Sequence, residues 1–263
     1  LYAVYIHRKS RRSDRAIDMK IKVINPNTTA SMTRKIGIAA QAAANSSTEI
    51  IACNPVMGPA SIEGHYDEAL SAIGILDEIR KGEAEGIDGY VIACFGDPGL
   101  LAARELARGP VLGIAEAAMH AASFIATGFS IVTTLNRTRI IAKQLVENYG
   151  MTRFCQGIRG TELSVLELEK EGSQAQKIIT EECRKALIED GSGAIILGCA
   201  GMTDLVRQIS QDIDAPVIDG VSAAVKFVEV LIALGLGTSK VGDLAYPLAK
   251  SYTGMLSNFA PKS

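Results

Sequence analysis

Asp88-Gly-Tyr-Val-Ile-Ala-Cys94-Phe-Gly-Asp-Pro-Gly-Leu100 and Gly191-Ser-Gly-Ala-Ile-Ile-Leu-Gly-Cys199-Ala-Gly-Met-Thr-Asp-Leu205 are one pattern written twice. Each is an apolar run of strand length that ends in a cysteine. Each has a glycine two residues past the cysteine and an acid within five. Cys94 and Cys199 therefore hold matching positions in two half-molecules. Two matched thiols facing one cleft supply an acid and a base on opposite faces of a carbon, as inversion of a stereocentre by proton transfer requires.

The repeat extends beyond the cysteines. Lys22-Val-Ile-Asn-Pro-Asn-Thr-Thr29 resembles Ser130-Ile-Val-Thr-Thr-Leu-Asn-Arg-Thr138, each a short apolar strand opening into an Asn/Thr loop. Pro110-Val-Leu-Gly-Ile-Ala-Glu-Ala-Ala118 answers Pro216-Val-Ile-Asp-Gly-Val-Ser-Ala-Ala224. A weaker pair sets Ile50-Ile-Ala-Cys53 against Thr152-Arg-Phe-Cys155. The landmarks keep one order at a nearly constant spacing, so the chain reads as an internal duplication.

Within each half, strands alternate with helical segments. Residues 30–43 are alanine-rich, with Asn27, Thr28 and Thr29 available as caps. Residues 66–82 carry apolar groups at 70, 73, 76 and 79, a helical spacing. Short apolar runs at 23–24, 91–92, 111–112, 131–132, 195–197 and 217–218 read as buried strands. Such alternation predicts an α/β fold of mainly parallel sheets covered by helices. Two lobes related by pseudo-twofold symmetry, with a cleft between them, are expected. Ligands of such sheets sit beyond the carboxyl ends of the strands. Cys94 and Cys199 fall there, as do Asn25, Asn27, Thr133 and Thr134.

Composition limits the alternatives. The 263 residues include 48% hydrophobic and 21% charged, with a net charge of −2, so no general attraction to nucleic acid or an anionic membrane is implied. The most apolar stretch, 221–237, is interrupted by Lys226 and Glu229 and does not read as a membrane span. Five cysteines without a CxxC pair argue against a disulfide framework and for a reducing cytoplasm. The three histidines stand at no ligand spacing, so no metal site is expected. Residues 1–18 carry five Lys or Arg against Asp14 and Asp18, and Met19 resembles a natural start. That extension is expected to be non-native or disordered, with a targeting peptide as the alternative.

The chemistry follows from what surrounds the two thiols. Asp97 suits an N-cap and Pro98 a first helical position; Thr203 is a plausible cap after Cys199. Both sulfurs would then lie near a helix N-terminus, whose partial positive charge lowers a thiol pKa. Gly96 and Gly201 permit close backbone approach, so amides around Phe95–Gly96 and Ala200–Gly201 would suit an anionic oxygen. A carbonyl beside the acidic C–H stabilises the carbanion as an enolate, so neither metal nor pyridoxal is needed. A lone cysteine at a strand end is usually a small core residue. The matched context separates Cys94 and Cys199 from Cys53, Cys155 and Cys183, which read as structural, Cys183 within a helix over 175–189.

At these residues the chain resembles the aspartate/glutamate/hydantoin racemase superfamily, in particular its hydantoin and allantoin racemase branch. The strings that carry the resemblance are Ile24-Asn-Pro-Asn-Thr-Thr29, Gly58-Pro-Ala-Ser-Ile-Glu63, Ala93-Cys-Phe-Gly-Asp-Pro-Gly99 and Leu197-Gly-Cys-Ala-Gly-Met202, and it covers residues 19–256. It implies cofactor-independent racemisation at C5 of a hydantoin ring, a small-molecule substrate, with Cys94 and Cys199 as the acid/base pair. It implies homo-oligomers of two-lobed subunits in which the lobes exchange terminal segments. Lobe 1 would be 19–112 plus 219–263, and lobe 2 would be 113–218. It further implies that Asn25 and Asn27 face the ligand. Met57 and Gly58 would line the pocket, and Thr133 or Thr134 would contact the ligand from the second lobe. The amino-acid racemase branch has Cys-Asn-Thr and Gly-Cys-Thr-Glu at the two motifs, where this chain has Cys94-Phe-Gly and Gly198-Cys-Ala-Gly. With only Arg137 cationic nearby, and read as a solvated helix start, the pocket suits a neutral amide-rich ring. His65 reads as a surface residue near a helix start, and Glu63 as structural or substrate-orienting.

Sister activities on the same scaffold stay open: an amino-acid racemase, a maleate isomerase or an arylmalonate decarboxylase. The last needs one protonating cysteine only. A non-catalytic two-lobed binding protein is the alternative of another class. A nicotinamide dehydrogenase is not supported, since no GxGxxG follows a strand.

Overall fold

The computed structural model describes residues 19–170 and 174–261, so the expectation for residues 1–18 lies outside the described residues. The first half runs β1 (Met19–Ile24), α1 (Ala30–Ala43), β2 (Thr48–Cys53), α2 (His65–Glu85), β3 (Gly89–Ile92), α3 (Leu100–Leu106), β4 (Val111–Gly113) and α4 (Ile114–Ile125). The second runs β5 (Phe129–Thr133), α5 (Thr138–Asn148), β6 (Cys155–Gly160), α6 (Ala175–Glu189), β7 (Ala194–Leu197), α7 (Val206–Ile213), β8 (Val217–Ile218) and α8 (Gly220–Ala233). Two four-stranded sheets result, ordered β2-β1-β3-β4 and β6-β5-β7-β8. Every pairing is parallel. The fold is thus two-lobed α/β, and the second sheet repeats the strand order of the first.

Register makes the repeat specific. Ile24 lies beside Ile92, and Val132 beside Leu197. The Ile24 carbonyl accepts from Ala93 N at 2.8 Å, and the Val132 carbonyl accepts from Gly198 N at 2.8 Å. Each donor immediately precedes a cysteine. The central strands β1, β3, β5 and β7 are buried nearly throughout, as their unbroken apolar runs require of strands covered on both faces.

The proposed match of Cys53 with Cys155 is corrected. Cys53 ends β2, opposite Ile24, whereas Cys155 begins β6, opposite Phe129. Arg159, opposite Val132, is the true counterpart of Cys53. Residues 152–154 form a turn after Gly150, whose φ is +70°, and Phe154 N and Cys155 N both donate to Met151 O. Strand β6 then carries Gly157, Arg159 and Gly160 on a sheet edge, a pattern with little strand signal. The helix expected over 66–82 is α2, but its buried ridge is Ser71, Gly74, Ile75, Glu78, Ile79 and Gly82, while Leu70 is exposed. Packing rotates the inward face by one residue because Gly74 and Gly82 let the helix close on Pro55 and Tyr90.

Helix α8 packs on β1, β3 and β4 and against α1 and α4. A Cβ at Gly89 of β3 would run into Val228 of α8. Asp219 caps α8, accepting from Val221 N and Ser222 N at 3.1 and 3.0 Å. Glu229 of α8 is buried and accepts from Asn45 N at 2.7 Å and from Thr48 Oγ1 at 2.6 Å, while pairing with Lys226 at 2.9 Å. Further on, Lys240 Nζ donates to Arg104 O at 2.6 Å and Glu105 O at 2.9 Å. The segment after α8 is thereby fastened to α3 at residue 240. Among the described residues no helix is long and apolar enough to cross a membrane.

Replacing Glu229 by alanine leaves the Asn45 and Thr48 donors without their acceptor. Glu229→Ala should therefore cost about 2 kcal/mol, read as a lower urea midpoint with unchanged m-value. An unshifted midpoint would mean that these bonds do not hold α8 in place.

Candidate active site

Both cysteines lie just beyond a central strand, Cys94 after β3 and Cys199 after β7, and both line one cavity. From the first half the wall also receives Asn25, Asn27, Phe95 and Gly96; from the second it receives Thr133, Thr134 and Ala200. Gly201 lies one residue beyond Ala200, at the start of the 3₁₀ turn Ala200–Leu205. Met57 and Gly58 are not brought to this cavity. They sit on the loop after β2, where Met57 is exposed and Gly58 faces Pro26 O and Thr28. That loop instead braces the Asn/Thr turn, with Thr28 N donating to Pro59 O at 2.9 Å and Thr29 Oγ1 to Ala60 O at 2.6 Å.

The Asn/Thr turn is held by its own side chains. Asn25 Nδ2 donates to Asn27 Oδ1 at 2.9 Å and to Thr33 Oγ1 at 3.0 Å. Asn27 Oδ1 also accepts from Thr29 N at 2.9 Å, just ahead of α1, so Asn27 serves the helix start while Thr29 does not cap with its side chain. In the second half, Thr133 Oγ1 donates to Gly198 O at 3.1 Å, bracing the residue before Cys199.

Asp97 does not cap the helix that follows it. Helix α3 begins at Leu100 behind Gly99, with φ +68° at Gly99, and Pro98 lies outside it. Asp97 adopts φ +44°, a left-handed conformation that Asp tolerates better than most side chains. This turns its carboxylate onto the next helix. Oδ1 accepts from Ala115 N at 3.1 Å and Oδ2 from Glu116 N at 2.9 Å, both in the first turn of α4. Tyr149 Oη, just past α5, donates to Oδ2 at 2.8 Å. Asp97 N donates to Cys94 O at 3.0 Å, closing the turn that carries the thiol. A Cβ at Gly113 would overlap this carboxylate, so glycine is required there by close approach. Thr203 likewise caps nothing: it lies inside the 3₁₀ turn with its hydroxyl buried and without a partner among the described residues.

The expected lowering of the thiol pKa values is also corrected. Burial pushes Cys199 up to about 11, and it pushes Cys94 higher still. Backbone amides oppose this, that of Gly96 at Cys94 and that of Gly201 at Cys199, and Lys35 adds a small favourable charge at Cys199. Glu68 and Cys199 raise Cys94, and Glu63 and Glu169 raise Cys199. Desolvation outweighs the helix-end effect because neither cysteine is followed directly by an α-helix: α3 starts six residues after Cys94, and a 3₁₀ turn separates Cys199 from α7. Burial likewise raises the thiols of Cys53, to about 12, Cys155, to about 11, and Cys183, to about 12. Those three lie in β2, β6 and α6, away from the cavity wall.

Several wall residues escaped the sequence reading. Glu68 of α2, Ile62, Ile141 and Ala142 of α5, and Val165 of the 3₁₀ turn Val165–Glu169 all line the cavity. Val165 N donates to Glu63 Oε1 at 2.7 Å, so Glu63 ties the second half to the first. Lys35 makes a parallel tie, donating to Leu168 O at 3.1 Å and pairing with Glu169 at 3.1 Å. His65 opens α2 at the surface, 3.3 Å from Glu68 Oε2, and Arg137 is exposed near Gly64. Among the described residues no group of three or more His, Cys, Asp or Glu is arranged to hold a metal ion.

Residues 21–228 match the model of a family described as Asp/Glu/Hydantoin racemase. The chain belongs to that family. It is 49% identical to a hydantoin racemase from Pseudomonas sp. (strain NS671), over 92% of this chain and 97% of that protein. The solved structure of an allantoin racemase from Klebsiella pneumoniae is 57% identical, with a TM-score of 0.91, over 93% of this chain and 100% of that one. An allantoin racemase from Pseudomonas fluorescens is 38% identical, with a TM-score of 0.87, over 90% of this chain and 100% of that one. The protein is thus an isomerase of the racemase type.

The buried Asp97 carboxyl yields a pH test. Burial raises it to about 7, against the lowering effect of Glu116 N, Tyr149 and Ala115 N. The fold therefore retains a proton that the unfolded chain releases near about 4. Asp97 contributes stability below that value and loses the contribution as pH rises through about 7. Asp97→Asn should flatten the fall in urea stability across this window while lowering stability overall by about 1–3 kcal/mol, because an amide NH₂ replaces one acceptor. A variant profile with the wild-type slope would place the proton elsewhere.

Proposed function

We propose that this protein racemises 5-substituted hydantoins, allantoin among them, by proton transfer at C5 between Cys94 and Cys199 without a metal or organic cofactor. The observation that carries this reading is the pair of thiols from equivalent strand ends lining one cavity. The high identity to proteins named hydantoin and allantoin racemases supports the substrate class.

In the proposed step, one cysteine thiolate takes the C5 proton and becomes a thiol. The electron pair of the broken C–H bond moves into the adjacent carbonyl as an enolate. The opposite thiol delivers its proton to the other face of C5 and becomes the thiolate. The roles exchange when the other enantiomer binds. Asn25, Asn27, Thr133 and Thr134 flank the ring, and the backbone at Phe95–Gly96 and Ala200–Gly201 steadies the developing negative charge. Cys199 ionises first, since its thiol is raised less than that of Cys94, which also feels the charges of Cys199, Glu68 and Asp97. The rate should therefore climb with pH toward about 11.

Cys94→Ser and Cys199→Ser should each lower racemisation by about 10²–10⁴-fold without altering the melting temperature. Wild-type protein in heavy water should exchange the C5 proton of both enantiomers. Near-wild-type racemisation in either variant would overturn the two-thiol mechanism. Absence of turnover on every hydantoin would overturn the assignment itself.

A further inference from the structure

Of the cavity-lining residues, Glu68 alone carries a formal charge, and the mechanism above gives it no task. It sits in the first turn of α2, and its side chain is 16% exposed. Its Oε2 lies against His65 Nδ1, on the outer side. Its Oε1 lies over Gly96, so closely that a Cβ at Gly96 would overlap it. No donor among the described residues bonds Oε1. Burial is also the main influence on this carboxyl, raising its pKa.

Glu68 Oε1 thus lies beside the backbone of the Cys94 turn, in the wall of the cavity. Met32, Ile62 and Phe95 are among the apolar residues that line the same cavity. An alkyl or aryl substituent placed over Glu68 Oε1 would take that oxygen out of water without offering a donor, which is unfavourable. A ureido substituent brings N–H donors to it.

We infer that Glu68 is a specificity-determining residue, whose Oε1 accepts an N–H of a C5 ureido group and so favours allantoin over 5-alkyl and 5-aryl hydantoins. This rests on the hydantoin racemase reading and deepens it. The contact involves the substituent rather than the reacting carbon, so its loss falls mainly on KM.

The test compares wild type, Glu68→Gln and Glu68→Asp on allantoin and on 5-benzylhydantoin, with melting temperatures measured alongside. The Gln variant weakens the acceptor, and the Asp variant keeps the charge but withdraws it by one methylene. Both should lose about tenfold or more in kcat/KM on allantoin, chiefly through KM. The loss on 5-benzylhydantoin should be at least about fivefold smaller in each variant, because the charge that Glu68 places near Cys94 acts alike on both substrates. Equal losses on the two substrates, or no loss on allantoin, would overturn the inference while leaving the racemase reading intact. If one variant fails to fold, the ratio of the two substrates in the other decides. Wild-type silence on both substrates would overturn the racemase reading, and this inference with it.

Discussion

Two backbone hydrogen bonds set the geometry on which the site depends. Ala93 N reaches the Ile24 carbonyl, and Gly198 N reaches the Val132 carbonyl. Each fixes the residue just before a cysteine, at the point where a central strand leaves its sheet. A one-residue slip in either pairing would turn that thiol to the other face. Because both sheets are wholly parallel and share one order, the same register operates twice and presents the two sulfurs to one opening. Covering the central strands on both faces makes that register expensive to lose.

The halves are then tied around the opening. Tyr149 from the second half bonds Asp97 in the turn after Cys94, Glu63 from the first half accepts from Val165, and Lys35 holds the far end of the same 3₁₀ turn. These contacts enclose the cavity, and enclosure has an electrostatic consequence. It strips water from both thiols and from Asp97, raising all three. The Gly96 and Gly201 amides recover part of that loss, so the backbone around each cysteine offsets the burial that the fold imposes.

Much of this was legible in the chain before folding. The strands β1, β3, β5 and β7 announce themselves as short runs of Val, Ile and Leu, and the repeat spacing pairs them correctly. The cysteines stood out because the motif around them recurs. Other features needed the tertiary structure. The edge strand β6, with Gly157, Arg159 and Gly160, carries little apolar pattern, so the repeat match of Cys155 with Cys53 falls out of register. The inward face of α2 was set by small residues meeting Pro55 and Tyr90, which periodicity does not register. Asp97 looked like a cap for its own helix, and only its left-handed backbone sends it to α4. Glu68 and Val165 reach the cavity from elements far from either cysteine in sequence, and no local signal marks them. Met57 and Gly58, implied by the family pattern, lie instead on the loop after β2, whose Pro59 and Ala60 carbonyls brace the Asn/Thr turn.

The two sulfurs are not in equal surroundings, since Cys94 is held further from ionisation than Cys199. On the proposed chemistry this asymmetry carries a thermodynamic limit. Mirror-image substrates have the same energy, so the equilibrium constant between them is one. The ratio of kcat/KM for the two directions must then equal one as well, however different the two half-sites become. Divergence between the halves can appear only as kcat and KM values that differ between the left- and right-handed forms by the same factor in the same direction.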